Sequence, residues 1–278
     1  MILTERDERI IARCWEDKLL RTSDLHTLFF GARARAVHRL RILYSNHYLD
    51  RYFTPMSIPY RGSTEALYTV GAKGNSIVSL RLGQDPNYVG LKRREFKARM
   101  ESPSFLFSFR HLQTVNRTRI CFEQAFGASD DWRLVQWTPE RLLEDQFTIN
   151  EDGQIRRAKI RPDGFLQYQH HPTGKTYSAF VEADLGTMSQ KQILAKVERY
   201  LHYFQTDLPA QKYGTQWFRV LLITTGKRRA RGLYHAIGGA TNSIFWLTSF
   251  DPMETPSWLT DAIWFRVGHQ GTYPLISS

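Results

Sequence analysis

The stretch from Arg161 to Tyr203 constrains the fold most, because two strand patterns and a helix pattern follow one another with acids at the strand ends. Arg-Pro-Asp-Gly-Phe-Leu-Gln-Tyr (161–168) and Tyr-Ser-Ala-Phe-Val-Glu-Ala-Asp (177–184) are rich in aromatic and β-branched residues. A polar turn, Gln169 to Lys175, joins them as a hairpin. After a loop at Leu185–Met188, apolar residues at Ile193, Leu194, Val197, Tyr200, Leu201 and Phe204 have the spacing of one helix face.

Side chains two apart on a strand share a face, so Glu182 and Asp184 lie together with Ser178 and Phe180. Asp163 opens the neighbouring strand, and antiparallel pairing brings it close to Glu182. Carboxylates crowded in this way repel unless a cation sits between them. A hard divalent ion, Mg²⁺ or Mn²⁺, takes oxygen ligands of that kind, so Asp163, Glu182 and Asp184 are candidate metal ligands. The same spacing is also met by a surface Pro-Asp-Gly turn beside solvated acids.

The 278 residues suffice for one large domain or two ordinary ones, and 42% hydrophobic content supports a core. No apolar run approaches the roughly 18–20 residues of a membrane span. The opening Met-Ile-Leu-Thr-Glu-Arg-Asp-Glu is too acidic for a signal peptide. Cys14 and Cys121 have no metal-ligand spacing, so a reduced cytoplasm is expected. The charge is uneven: residues 1–99 hold 18 Lys/Arg and 10 Asp/Glu, a net of +8 out of +11 for the whole chain. A polyanionic partner contacted by the N-terminal part fits that asymmetry, as do solubility or a membrane surface.

Thr4, followed by Glu5, Asp7 and Glu8, starts a helix with an apolar face at Ile10, Ile11, Cys14 and Trp15. A second short helix runs from Leu25 to Phe30. A third, from about Ala32 to Asn46, turns Ala36, Val37, Leu40, Leu43 and Tyr44 inward and Arg35, His38, Arg39 and Ile42 outward. Strand patterns follow at Tyr48–Thr54 and Glu65–Val70. Three helices and a hairpin make the outline of a winged helix-turn-helix over residues 1–72, whose third helix enters the major groove. Arg35, His38 and Arg39 would then face bases, while Arg33, Arg51 and Arg61 would hold phosphates and Arg41 flanks the helix as a further DNA-binding candidate. The alternative is a winged helix that contacts protein only.

Residues 73–104 read as a basic connector, interrupted at Gly71–Gly74 and carrying Lys92, Arg93, Arg94, Lys97 and Arg99. Residues 105–278 read as an α/β domain. A long helix spans Phe105–Ala125, a strand Trp132–Trp137, and a short helix starts at Thr138-Pro139-Glu140. Beyond the hairpin and its helix come a buried strand at Trp217–Thr225, a basic helix at Gly226–Ile237 and a strand at Ser243–Phe250.

Helix, hairpin, helix and strand, with acids at the hairpin ends, resembles the core of the PD-(D/E)xK nuclease superfamily, a restriction-endonuclease-like α/β domain with a mixed sheet. The overall class is then α+β. That resemblance implies Mg²⁺ held by Asp163 of Pro162-Asp163 and by Glu182 of Glu182-Ala183-Asp184. The chain departs from the motif at its lysine, where Asp184 stands; Lys196 on the following helix is the candidate to reach back. Glu123 is a weaker candidate for an acid on the first helix. Most of the chain also resembles the replication-relaxation family of bacterial plasmid and mobile-element proteins. The likeness rests on Leu3-Thr4-Glu5-Arg6-Asp7, Leu67-Tyr68-Thr69-Val70-Gly71, the His111 helix, Pro162-Asp163-Gly164, Glu182-Ala183-Asp184-Leu185-Gly186-Thr187 and Lys196-Val-Glu-Arg-Tyr200. It implies a role in plasmid replication and DNA relaxation, by nicking or by assembling an initiation complex with replication or mobilisation proteins. The winged helix calls for double-stranded DNA as partner and admits a homodimer on a palindrome.

Three functions compete. One is a metal-dependent endonuclease or nickase with Asp163, Glu182, Asp184 and Lys196 at its centre. Another is an initiator or transcriptional regulator that binds DNA on an inactive nuclease scaffold, which an acid at the lysine position favours. The third is a tyrosine relaxase using Tyr200 or Tyr203, against which the nine histidines show no metal-ligand spacing and His170-His171 sits in a loop.

Overall fold

A computed structural model describes residues 1–53, 65–83, 105–151 and 154–276. They form a mixed α+β chain that divides into two compact units, Met1–Arg117 and Thr118–Ser278. Arg61 and the basic run Lys92–Arg99 lie outside the described residues. Among the described residues, no helix is long and apolar enough to cross a membrane.

The first unit opens with α1 (Glu5–Glu16), whose start is set by a reciprocal cap. The Thr4 hydroxyl accepts from the Asp7 N–H, and the Asp7 carboxylate accepts from the Thr4 N–H at 2.8 Å. After β1 (Leu20–Arg21) come α2 (Thr22–Phe29), α3 (Arg33–Ser45), β2 (Leu49–Phe53) and β3 (Ala66–Val70). β3 is the middle of a three-stranded antiparallel sheet. Ile10, Ile11, Cys14, Leu25, Leu40, Leu43, Leu49, Tyr68 and Val70 close the core against it.

Two residues of α3 differ from the expected pattern. Val37, expected inward, is 47% exposed. The buried stripe is narrow, formed by Ala36, Leu40 and Leu43, and Val37 lies about 100° round the helix from Ala36. Arg39, expected outward, turns instead onto Asp7, its Nε 2.8 Å and its Nη2 2.5 Å from the two carboxylate oxygens. Burial raises the Asp7 pKa, but the bonds from Arg39 and Thr4 outweigh it and hold the acid at about 2.

Residues expected as a connector also differ, since Ala72–Leu82 forms a helix, α4, with Val78 in the core. Gly74, read as a break, is there for close approach. A Cβ on it would press on the Tyr48 carbonyl and stand 2.8 Å from Val70 Cγ2. The next helix, α5 (Phe105–Gly127), is the long one expected, and Phe105, Phe109 and Leu112 pack with Leu19 and Leu67. The first unit therefore runs past residue 105, and the division falls within α5.

The second unit is built on a mixed six-stranded sheet in the order β11-β10-β9-β8-β7-β4. Its strands are β4 (Trp132–Pro139), β7 (Gly164–His170), β8 (Thr176–Asp184), β9 (Arg219–Thr224), β10 (Phe245–Ser249) and β11 (Phe265–Arg266). β8, β9 and β10 run parallel, whereas β4, β7 and β8 alternate in direction. A separate hairpin, β5 (Asp145–Glu151) and β6 (Gln154–Ile160), interrupts β4 and β7 and had no counterpart in the expected pattern. The helices are α6 (Gln190–Phe204), α7 (Leu208–Tyr213) and α8 (Lys227–Gly238).

Both faces of the sheet are covered, as a parallel core requires. On one face, Phe165, Phe180, Val220, Leu222, Phe245 and Leu247 pack with Ile193, Val197 and Tyr200 of α6 and Ala230 and Leu233 of α8. On the other, Leu166, Tyr168, Ala179, Val181, Leu221 and Ile223 meet Phe122 and Phe126 of α5 and the Trp258–Trp264 pair. Strand alternation assigns Phe180 and Glu182 to the α6 side and Ala179 and Val181 to the other.

Two outcomes are expected for the first unit. Gly74→Ala, which in an open helix would stabilise by about 1 kcal/mol, instead destabilises by about 1–3 kcal/mol through overpacking; hydrogen exchange at the α1 and β3 amides reads the loss. Asp7→Asn costs about 1–2 kcal/mol at neutral pH. Because the folded Asp7 pKa is depressed, its contribution is present above the unfolded value, and the wild-type advantage fades as pH falls from about 4 towards 2.

Candidate functional site

Glu182 lies four-hundredths exposed near the carboxyl end of β8, and α6 supplies both of its partners. The ammonium of Lys196 donates to Oε2 at 2.6 Å, and the hydroxyl of Tyr200 donates to Oε1 at 2.6 Å. Lys196 and Tyr200 are four apart on a helix started by Ser189, whose hydroxyl accepts from the Gln192 N–H. They therefore project from one face towards the strand. Burial pushes the Glu182 pKa up, opposed by Lys196 and reinforced by the neighbouring Asp163 charge. Burial alone would lower the Lys196 pKa, but Glu182 and Asp163 carry it above its usual value, so the ammonium stays charged. Tyr200, buried against the Glu182 carboxylate, is pushed well above the usual phenol range and remains a donor.

Asp163 stands directly before β7, opposite Glu182. Its N–H donates to the Val181 carbonyl at 3.1 Å, and its Oδ2 accepts from the Ala183 N–H at 2.8 Å. The following Gly164 is required by packing: a Cβ there would lie 2.5 Å from Trp137 Cζ2. Pro-Asp-Gly is thus the entry to a buried strand, with Pro162 and Asp163 both buried, and the exposed-turn alternative does not hold. Asp163, Glu182 and Lys196 are brought together.

Asp184 shares the face of Glu182 but has a different environment. Arg229 of α8 takes its carboxylate through Nε and through Nη2 at 3.0 Å, Thr224 donates at 2.7 Å, and the Gly186 N–H donates at 3.1 Å. Burial raises its pKa, and these donors, Arg229 first, bring it below the usual value. Asp184, expected as a third metal ligand, is thus bonded to a guanidinium, with α8 packed beside α6 over the same end of the sheet. Among the described residues, no three His, Cys, Asp or Glu are grouped to hold a metal ion. Glu123 pairs with Arg119 at 3.0 Å.

The relaxase candidates are both internal. Tyr203 donates to Asp145 Oδ2 at 2.6 Å, and Tyr213 and Lys212 bond the same carboxylate. Burial pushes the Tyr203 phenol far up, away from the range of a nucleophile. His170 is paired with Thr173 at 2.9 Å and packed on Trp132. Tyr200 as a donor, Asp145 and Arg229 were not foreseen as partners. The first had a signal: Lys196, Tyr200 and Tyr203 recur at helical spacing on the buried face, and each meets an acid.

On α3, Arg35, His38 and Arg41 are exposed, and none makes an ion pair among the described residues. Arg33 reaches Glu65 at 3.7 Å, both partly in solvent. Arg51 lies over the rings of Tyr44, at 4.4 Å, and Phe53, at 5.3 Å.

Removing Lys196 tests the buried pair. Lys196→Met leaves Glu182 without its counter-charge and costs about 2 kcal/mol, less than for a fully buried pair because the lysine keeps some solvent. Adding Glu182→Gln recovers most of that loss in urea unfolding monitored by tryptophan fluorescence. A double variant no more stable than Lys196→Met contradicts the assignment.

Residues 15–217 match the family described as replication-relaxation. No curated protein and no solved structure matches the chain. The matched span contains Asp163, Glu182, Asp184, Lys196 and Tyr200 and covers well over half of the sequence, so the protein belongs to the replication-relaxation family.

Proposed function

We propose that this is a DNA-binding protein of plasmid or mobile-element replication and relaxation, and that its second unit nicks DNA with the help of a divalent cation. The observation that carries the proposal is the meeting of Asp163, Glu182 and Lys196 at one end of the sheet. Apart from the inserted β5–β6 hairpin and the short α7, the order α5-β4-β7-β8-α6-β9, with β8 and β9 parallel across α6, supports a PD-(D/E)xK core. A lysine reaching back from α6 stands in for the one that Asp184 displaces from the strand.

The donor set fits Mg²⁺ or Mn²⁺. Mg²⁺ is commonly held by one or two carboxylates with waters and substrate phosphate, and Asp163 and Glu182 are two acids whose mutual repulsion a cation relieves. Bound there, the ion supplies a Lewis acid and lowers the pKa of a coordinated water. Asp163, tied to the Ala183 N–H, keeps its carboxylate fixed on the strand. Tyr200 orients Glu182, and the Lys196 ammonium offers positive charge to a phosphate oxygen. Asp184 takes no part in the ion site and anchors α8 instead.

The first unit is read as a winged helix that delivers the chain to double-stranded DNA, with α3 in the major groove and the β2–β3 hairpin as wing. Its net charge and the exposed Arg35, His38 and Arg41 support this. Replication or mobilisation proteins are the partners that such a role requires. A second reading, binding without cleavage, is favoured by the full set of protein partners on Glu182 and Asp184, which leaves the scaffold stable without an ion.

A supercoiled plasmid incubated with Mg²⁺ or Mn²⁺ separates the two. The nickase yields open circles that are lost by at least a hundredfold in Asp163→Asn and Glu182→Gln, an effect on the order expected when a central electrostatic group is removed, while DNA retardation is kept. Retarded but uncut DNA in the wild type establishes the binding-only protein. Cutting that survives in both variants places the chemistry elsewhere.

A further inference from the structure

We infer that α3 reads the 5-methyl groups of thymine in the major groove through Val37, with Ala34 beside it. The inference rests on the reading of the first unit as a DNA-binding winged helix and names what that helix recognises. Ala36, Leu40 and Leu43 face the core, which leaves Ala34, Arg35, Val37, His38, Arg41 and Ser45 on the exposed side. Val37 is 47% exposed, and Ala34 is its neighbour one turn back.

A β-branched residue is a poor helix former, and exposing it gains nothing from water. Its surroundings are cationic: Arg33 and Arg41 lie one turn to either side on the same face. An apolar spot framed by guanidinium groups matches the edge of an A·T pair, where the thymine methyl is the apolar group on the major-groove side, flanked by phosphates. The N-terminal half of a recognition helix is the part that meets base edges, and Ala34 and Val37 lie there. Arg39, a guanidinium on the same helix, is held by Asp7 and is not available to a base. The free face therefore combines methyl contact at Val37 with the guanidinium groups of Arg35 and Arg41 and the imidazole of His38.

The test selects duplexes from a randomised pool with the full-length protein. Each selected duplex is then compared with its counterpart containing uracil for thymine, which lacks only the methyl. Wild type is expected to bind the uracil duplex about fourfold more weakly per contacted methyl, the value for one buried CH₂ group. In Val37→Ser that ratio falls towards one, while the salt dependence of binding is unchanged. Equal binding of the two duplexes by wild type, or full discrimination retained in Val37→Ser, overturns the inference and leaves DNA binding intact. Arg41→Ala serves as the separate control. If it leaves both affinity and salt slope untouched and no sequence is enriched, α3 is not the DNA-contacting helix and both readings fail.

Discussion

Burying the Glu182 carboxylate is the constraint around which the second unit is arranged. A charge removed from water costs several kcal/mol unless it is paired and hydrogen-bonded. β8 sits between β7 and β9, so no solvent reaches it along the sheet. The donors must come from the layer above, and α6 supplies them from two successive turns. Asp184 repeats the solution two residues later with α8 and Arg229. One strand thus fixes two helices over the same face through two acids, and apolar packing at Ile193, Val197, Ala230 and Leu233 fills the space between these polar contacts.

The first unit uses the same device for a different end. Asp7 caps α1 with one set of bonds and receives Arg39 of α3 with another. One arginine of a basic helix is thereby committed to holding that helix against α1. The remaining cationic side chains of α3 keep their exposure. Charge that looks uniform along the sequence is therefore divided between an anchor and a surface.

Strong periodicity was legible. The hairpin at Gly164–Asp184, the side shared by Phe180 and Glu182, and the helix bearing Lys196 all follow from alternation and from apolar spacing that tertiary packing reinforces. Family membership was legible too, and the match over residues 15–217 bears it out. Other features were not. The β5–β6 hairpin has Arg156 and Arg157 beside an apolar minority, a weak pattern for a strand whose partner is its own neighbour. Gly74 marks a break in propensity but, in the fold, marks the place where α4 touches the Tyr48 backbone. Arg39 and Asp184 have the sequence context of an exposed base reader and a metal ligand. Their actual partners, Asp7 and Arg229, are distant in the chain, and no local spacing announces a long-range ion pair.

The alternation along β8 has a consequence for how the sheet finds its pairing. A slip of one residue against β7 would carry Glu182 and Asp184 to the side of Phe122 and Trp258, where an unpaired carboxylate meets only apolar groups. It would also set Val181 and Ala183 against Lys196 and Arg229. The two acids thus act as a register lock, making a one-residue shift of the central strand costly while the native alignment is matched by two cations.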